Sequence, residues 1–214
     1  MTVPIPTPIF RFIHVDNLSV CLRRRALHAP NYMPKNRLLY RAIHNIEIQQ
    51  LRQVTTIPCG SGGVIHDYVS FYFGPRSPML YQLHTGRIAD YQGGQEPLIY
   101  LISTAQSIHQ GGTPFVFSDG HGIAFYTSWY DDLADLGRLD WNTIYATAWN
   151  DTVDDMDRQR RKQAEFLVHR RCDFQFIKKI AVINTRIKSS VERILGSFPL
   201  SLRPMVIIKP EWYY

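Results

Sequence analysis

The chain has 214 residues, 45% of them hydrophobic and 20% charged, the proportions of a globular protein with one sizeable core. Its net charge of +6 rests mostly on arginine, which pairs with phosphate and stacks on rings, so nucleic acid or a dinucleotide is a compatible ligand. No run long enough to cross a bilayer is free of charge or proline, and Met1-Thr2-Val3-Pro4 lacks the basic start of a leader, so a soluble cytoplasmic chain without membrane partners is expected.

Ile9 to His14 reads as a strand, and Asp16 is the expected N-cap of a short helix through Leu18, Cys21 and Leu22, with Arg23-Arg24-Arg25 in its last turn. Pro30 and Pro34 mark residues 26–37 as a loop, and Ile46 and Leu51 among polar neighbours predict a modest helix over 43–53. Gly60-Ser61-Gly62-Gly63 reads as a turn, Tyr68 to Phe73 as a strand, Pro75-Arg76-Ser77-Pro78 as a break into a short helix, and Pro97 to Ser103 as another strand. Phe115-Val116-Phe117 is a further strand, followed by the turn Asp119-Gly120-His121-Gly122. Residues 131–140 read as an acidic helix, Thr143 to Trp149 as extended and 153–163 as a charged helix. The apolar run Phe166-Leu167-Val168 precedes a strand over Ile180 to Ile183, a helix over 186–195 and a last strand over Met205 to Ile208. Short strands with irregularly inserted helices predict an α+β domain with a mixed or antiparallel sheet.

Cys21, Cys59 and Cys172 stand far apart with no Cys-x-x-Cys pair, which argues against a disulfide framework or a zinc knuckle. Gly60 to Ile65 lacks the third glycine of a dinucleotide fingerprint and precedes a strand, where that fingerprint must open a helix. Without a P-loop, a His-Glu-x-x-His or a His-x-Glu beside paired cysteines, kinase, metalloprotease and deaminase chemistry are excluded. On pattern alone, Glu165 is a helix residue with Arg161 and His169 at four-residue spacing. His14 is then a hydrogen-bonded strand residue, and Arg23 to Arg25 and Arg158 to Arg161 are solvated helix faces.

Three ordered segments carry more: Phe12-Ile13-His14-Val15-Asp16-Asn17-Leu18, then Asp67-Tyr68-Val69-Ser70-Phe71-Tyr72-Phe73-Gly74-Pro75-Arg76-Ser77-Pro78-Met79-Leu80-Tyr81, then Gln163-Ala164-Glu165-Phe166-Leu167. With Leu139-Asp140-Trp141 between them and Trp212-Tyr213-Tyr214 at the close, the chain resembles the DarT family of DNA ADP-ribosyltransferases over essentially its whole length. The resemblance implies a fold like that of the poly-ADP-ribose polymerases: one α+β domain over 1–214, with two small facing β-sheets and inserted helices, splitting around NAD. It implies NAD contacts from Phe12, Ile13 and His14 on the first strand, with His14 on the adenosine side, and a ring, Phe71 or Tyr72, stacked on nicotinamide. Glu165 matches the catalytic glutamate, and Arg52 the arginine on which the family depends, with Arg76 as the competing candidate. Residues 31–53 would cover NAD, and a loop within 106–160 would recognise the substrate.

The implied reaction uses NAD as co-substrate and no metal. A carboxylate that binds the ribose hydroxyls and offsets the charge of an oxocarbenium-like transition state suits Glu165. The implied acceptor is thymidine, whose ring nitrogen keeps its proton at neutral pH; Arg52 would stabilise the deprotonated base or accept the proton itself. A base buried in a duplex cannot reach a pocket, so single-stranded DNA is the implied substrate. His121, Tyr126 and Tyr145 are candidates to stack on bases, and Arg76, Arg158, Arg160 and Arg161 to meet phosphates. The family further implies a toxin that blocks replication, and a macrodomain antitoxin of DarG type that removes the mark. Two other readings stay open: a guanine, RNA or protein acceptor, and a non-catalytic nucleic-acid-binding protein in which Glu165 is structural.

Overall fold

Short apolar runs broken by Gly, Pro and Asn produce many brief elements, which the computed structural model describes over residues 1–214. β1 (Pro8–His14) leads to α1 (Leu18–Arg24), β2 (Ala26–His28), α2 (Ile46–Val54), β3 (Tyr68–Tyr72) and α3 (Pro78–His84). β4 (Leu98–Thr104), α4 (Ala105–Gln110), β5 (Phe115–Ser118), β6 (Trp129–Tyr130), α5 (Trp141–Tyr145) and α6 (Arg158–Lys162) follow. β7 (Glu165–His169), β8 (Arg171–Asp173), β9 (Lys179–Val182), α7 (Thr185–Gly196) and β10 (Met205–Ile208) complete the chain.

Eight strands form one mixed sheet in the order β10-β9-β4-β1-β3-β7-β5-β6, antiparallel except between β9 and β10, while β2 and β8 pair separately. β1 pairs with β4 along its whole length, Pro8 opposite Thr104 through His14 opposite Leu98. It meets β3 at a single position, Phe10 opposite Tyr72. The two small sheets of the expected fold are therefore two four-stranded halves, β10-β9-β4-β1 and β3-β7-β5-β6, joined at that seam.

Strand alternation sorts the side chains between two clusters. Ile9 and Ile13 of β1 join Val69 and Phe71 of β3 in the main core, where α7 lays Ile187, Val191 and Leu195 at four-residue spacing. Phe10 and Phe12 face the other way, packing with Leu98, Tyr100 and Ile102 of β4 and with Tyr213. A one-residue slip would turn both sets to the wrong side, so burial of both faces pins the register of β1. The closing aromatics are tied in by hydrogen bonds, Tyr213 Oη to Leu98 O at 2.9 Å and Tyr214 Oη to Arg76 O at 2.7 Å.

Local expectations change where polar stretches lack periodicity. His14 rather than Asp16 caps the first turn, its Nδ1 accepting the Asp16 N–H at 3.2 Å. Residues 26–28, expected as loop, form β2 because their backbone finds β8. The acidic stretch after 131 is a 3₁₀ helix over Leu133–Arg138. Trp141–Tyr145 is a helical turn instead of extended chain, since Asp140 accepts the Thr143 N–H at 3.1 Å. Within 153–163 only Arg158–Lys162 is helical. Arg161 pairs there with Asp140 and Asp155, so no ladder to Glu165 forms, and Glu165 opens β7 opposite Tyr72.

Candidate active site

α2 starts at Asn45, whose side chain accepts the Ile48 N–H at 3.1 Å, and carries Arg52 in its last turn to β3 and β7. Arg52 grips Glu165 with both prongs, Nη1 to Oε1 at 2.9 Å and Nη2 to Oε2 at 2.7 Å, and Nη2 also donates to Ser70 Oγ at 2.6 Å. The Gly122 N–H is a second donor to Glu165 Oε1, at 3.2 Å. A Cβ on Gly122 would stand 3.0 Å from Ile65 Cδ1 and 3.2 Å from the Trp129 ring, so this close approach of backbone to carboxylate favours glycine. Ser118 Oγ accepts the Glu165 N–H at 3.3 Å and donates to Gly120 O at 2.7 Å, which ties the glycine turn to β7.

Burial alone would raise the Glu165 carboxyl, but the Arg52 charge and hydrogen bonds, joined by His121 and the Gly122 N–H, outweigh it and hold the group below the usual carboxylate range. Burial would likewise lower Arg52; Glu165 overrides that, and the guanidinium holds its proton more tightly than usual. The His121 imidazole is pushed down by burial, with Glu165 opposing and Arg52 adding, so it is neutral at pH 7. Burial and the Glu165 charge push the Tyr72 phenol up, leaving an uncharged ring.

The pair opens onto a cavity of about 600 Å³, within the range of small-molecule sites. Alternation along β3 places Tyr68, Ser70 and Tyr72 on its wall. Phe71 points the other way and is 1% exposed in the core, so it presents no face to a ligand. Phe12 lines the cavity with its ring stacked on Tyr72, centroids 6.1 Å apart and planes 13° apart. Ile13 lies in the main core, and His14 faces Tyr91 and its own turn, outside the cavity lining. Tyr40, His44 and Gln49 form a wall from within residues 31–53, a segment fastened by Asn17, which bonds the Arg41 N–H and carbonyl at 2.7 and 2.8 Å. Arg76 stands apart from this cavity, donating to Tyr213 O at 2.6 Å with its guanidinium 4.4 Å from the Tyr214 ring centre. Of the two arginines weighed from the sequence, Arg52 is the one that meets Glu165.

A smaller adjoining cavity of about 270 Å³, walled by Tyr126, Met156 and Arg160, shares His121, Gln159 and Gln163 with the first. Tyr126 is exposed beneath the Arg160 guanidinium, 4.9 Å from its ring centre, with Phe125 packed edge-on against it. Tyr145 instead stacks on Trp141, and Arg158 donates to Ala148 O at 2.8 Å, so neither side chain lines either cavity. Arg160 binds Asp119 and Asp157, and Arg161 binds Asp140 and Asp155, so this basic cluster is engaged in holding its own loop. Ser70, Ser118, Gly122, Gln159 and Gln163 were not singled out from the sequence. Ser70 and Gln163 left a signal, both lying in segments that carry the resemblance and Ser70 sharing the Tyr72 face of its strand; Ser118 and Gly122 reach Glu165 across 47 and 43 residues.

Residues 10–214 match the family described as ssDNA thymidine ADP-ribosyltransferase, DarT. A DNA ADP-ribosyl transferase of Thermus sp. (strain 2.9) is 44% identical over 213 residues, covering 100% of this chain and 99% of that protein. The solved structure of Thermus sp. 2.9 DarT in complex with ADP-ribosylated ssDNA superposes with a TM-score of 0.93 at 43% identity, covering 100% of this chain and 99% of that one. The same protein in complex with NAD+ superposes with a TM-score of 0.89 at 42% identity, covering 100% of both chains. Sequence pattern, identity and fold agree from end to end, and this chain belongs to the DarT family of single-stranded DNA thymidine ADP-ribosyltransferases.

Proposed function

We propose that this chain takes ADP-ribose from NAD and joins it to a ring nitrogen of thymidine in single-stranded DNA, with Glu165 and Arg52 as its catalytic residues. The observation that carries the reading is the buried Arg52 and Glu165 pair, set in a cavity whose lining holds Glu165 as its sole carboxylate. The size of that cavity and its Phe12 and Tyr72 stack suit a dinucleotide with an aromatic leaving group.

NAD supplies the ADP-ribosyl group, and this chain's residues bind and stabilise it. Tyr72 and Phe12 offer ring faces to nicotinamide. Glu165 Oε1 is filled by Arg52 and Gly122, whereas Oε2 has one side-chain donor and keeps a lone pair for a ribose hydroxyl. From there the ionised carboxylate offsets positive charge that builds on the ribose as its bond to nicotinamide breaks. Arg52 retains its proton, since Glu165 makes it a poorer base than a free guanidinium, and acts as the cation beside the thymine as its N3 proton passes to the neutral His121 imidazole and N3 bonds to the ribose carbon that nicotinamide leaves. Neutral His121, with Gln159 and Gln163, stands where the two cavities meet and positions the acceptor base beside the donor. Tyr126 stacks on a neighbouring base, residues 31–53 cover NAD, and the 106–160 segment recognises the strand. Ile13, His14, Phe71, Arg76, Tyr145 and Arg158 support the framework around these groups.

Modified thymidine in a template obstructs replication, so the chain acts as a cytoplasmic toxin. Family membership supports a macrodomain antitoxin of DarG type as the partner that removes the mark. No helix is long and apolar enough to cross a membrane. Mass spectrometry of thymine-containing single-stranded oligonucleotides after incubation with NAD tests the reading, using wild type and Glu165→Gln with folding checked by circular dichroism. One ADP-ribose on thymidine, lost in the folded variant, is the expected result; adducts on guanine, RNA or protein alone would replace the acceptor.

A further inference from the structure

The chain between Ala146 and Asp157 has little framework of its own. It forms no helix and no strand, only an isolated bridge between Thr152 and Asp155, and Val153 and Met156 stand 96% and 74% exposed. Trp149 is its one buried side chain. Polar ties from the segment run mainly to the short α6, from Ala146 O to Lys162, from Asp151 to the Gln159 N–H and from Asp155 to Arg161. Trp149 reaches elsewhere: its indole packs edge-on against Tyr81 of α3, ring centres 5.9 Å apart, and its Nε1 donates to Tyr214 Oη at 2.6 Å. That hydroxyl in turn donates to Arg76 O at 2.7 Å, so one oxygen joins the segment to the turn beyond β3. Tyr214 is itself firmly held, its ring against the Arg76 guanidinium and stacked on His84, and its backbone exchanging hydrogen bonds with the Gln95 side chain.

What hangs from Trp149 is one wall of the smaller cavity. Asp151 and Met156, in the same irregular stretch, line that cavity beside Gln159, which the two cavities share. Arg76 follows directly from β3, whose Tyr72 ring lines the main cavity, so the Tyr214 hydroxyl ties one wall to the strand that supports the other. We propose that Tyr214 is a positioning residue for the DNA acceptor: its hydroxyl holds Trp149, and with it the Asp151 and Met156 wall, in register with β3. This role rests on the smaller cavity receiving the strand that carries the target thymidine. Tyr214 lines neither cavity and acts at a distance. Removing its hydroxyl leaves the buried Trp149 N–H without its acceptor, and a segment with a single buried anchor shifts because no core packing holds it.

Steady-state kinetics with thymine-containing single-stranded oligonucleotides test this on Tyr214→Phe, Trp149→Phe and the double variant, with folding followed by thermal denaturation. Each substitution keeps an aromatic ring and removes one partner of the bond between Trp149 Nε1 and Tyr214 Oη. Either single variant is expected to raise KM for the oligonucleotide about tenfold, the effect of one orphaned hydrogen-bonding group. Its kcat and its affinity for ADP-ribose should stay within about twofold of wild type. In the double variant the rise should remain about tenfold, because both changes break the same bond; independent packing losses would multiply to about a hundredfold and overturn the assignment. So would an oligonucleotide KM within about twofold of wild type in both single variants, or an equal loss of ADP-ribose affinity. If one variant fails to fold the other decides, and failure of both makes the bond a framework contact, against the assignment. Anisotropy of a labelled oligonucleotide reads the same contrast without turnover. Weaker binding in both variants of a protein whose wild type modifies no DNA sinks the proposed reaction and leaves the positioning role standing.

Discussion

A carboxylate as buried as Glu165, 2% exposed, stays ionised because Arg52 and Gly122 together give it three hydrogen bonds. Such a pair is weak evidence of stability and strong evidence of use, because desolvating two charges offsets most of their attraction. Glu165→Gln leaves a buried guanidinium without its partner and is expected to lower unfolding free energy by roughly 3–5 kcal/mol in denaturant titrations. The double variant Arg52→Met with Glu165→Leu should recover most of that loss while remaining inactive; no recovery would mean the pair is retained for folding. The pH sign follows from the depressed carboxyl: its stabilisation is present above the ordinary carboxylate range and is lost as pH falls through the lower folded value. Arg52→Lys tests the fork itself, keeping a charge but losing the bidentate grip and the Ser70 bond. DNA modification should fall by about a hundredfold or more with NAD affinity retained, an amount comparable to losing one preorganised donor; full activity in that variant would refute a special role for the guanidinium.

At the scale of elements, strands are far more legible than the chain between 119 and 162. Short apolar runs identify β1, β3, β4, β5, β9 and β10, and alternation along β3 turns Tyr72 away from Phe71, which is why Phe71 lies in the core and Tyr72 in the cavity. Glu165 was read as helical from its charged neighbours, yet the chain leaves α6 at Lys162 and enters β7, where Phe166, Leu167 and Val168 are fully buried. Between 119 and 162 the structure depends on aspartate and arginine contacts that no periodicity announces, such as Arg161 to Asp140 across 21 residues. The resemblance supplied the order of the site residues; it did not supply their orientation, and His14 shows the difference by turning into its own loop. Lys162 closes α6 by donating to Ile144 O at 2.7 Å and Ala146 O at 2.9 Å, and burial, with Arg76 adding, pushes it down to about 8. The unfolded chain holds a proton there that the folded chain releases, so this residue's contribution to stability rises from about pH 8 towards the ordinary lysine value of 10.5. Subtracting the stability of Lys162→Met from that of wild type at pH 7.5 and 9.5 should give a difference that grows with pH; a flat difference would place the ammonium in water.

Across the whole molecule, the cavity lies along the seam between the two halves of the sheet. β1 is bound to β4 over seven paired positions and β3 to β7 over five, whereas β1 and β3 share one. Side chains supplement that join: Arg11 reaches across to the Ser70 carbonyl, and Phe12 stacks on Tyr72. Glu165, Tyr72 and Ser70 all ride on the β3 and β7 side, so their mutual register is set by one ladder and is indifferent to the other half. In mechanical terms the protein is two stiff plates with a single rung between them, and its rivets are side chains that line the cavity. Any group that enters there meets the most compliant line of the molecule, and a ligand that spans it replaces the missing rungs.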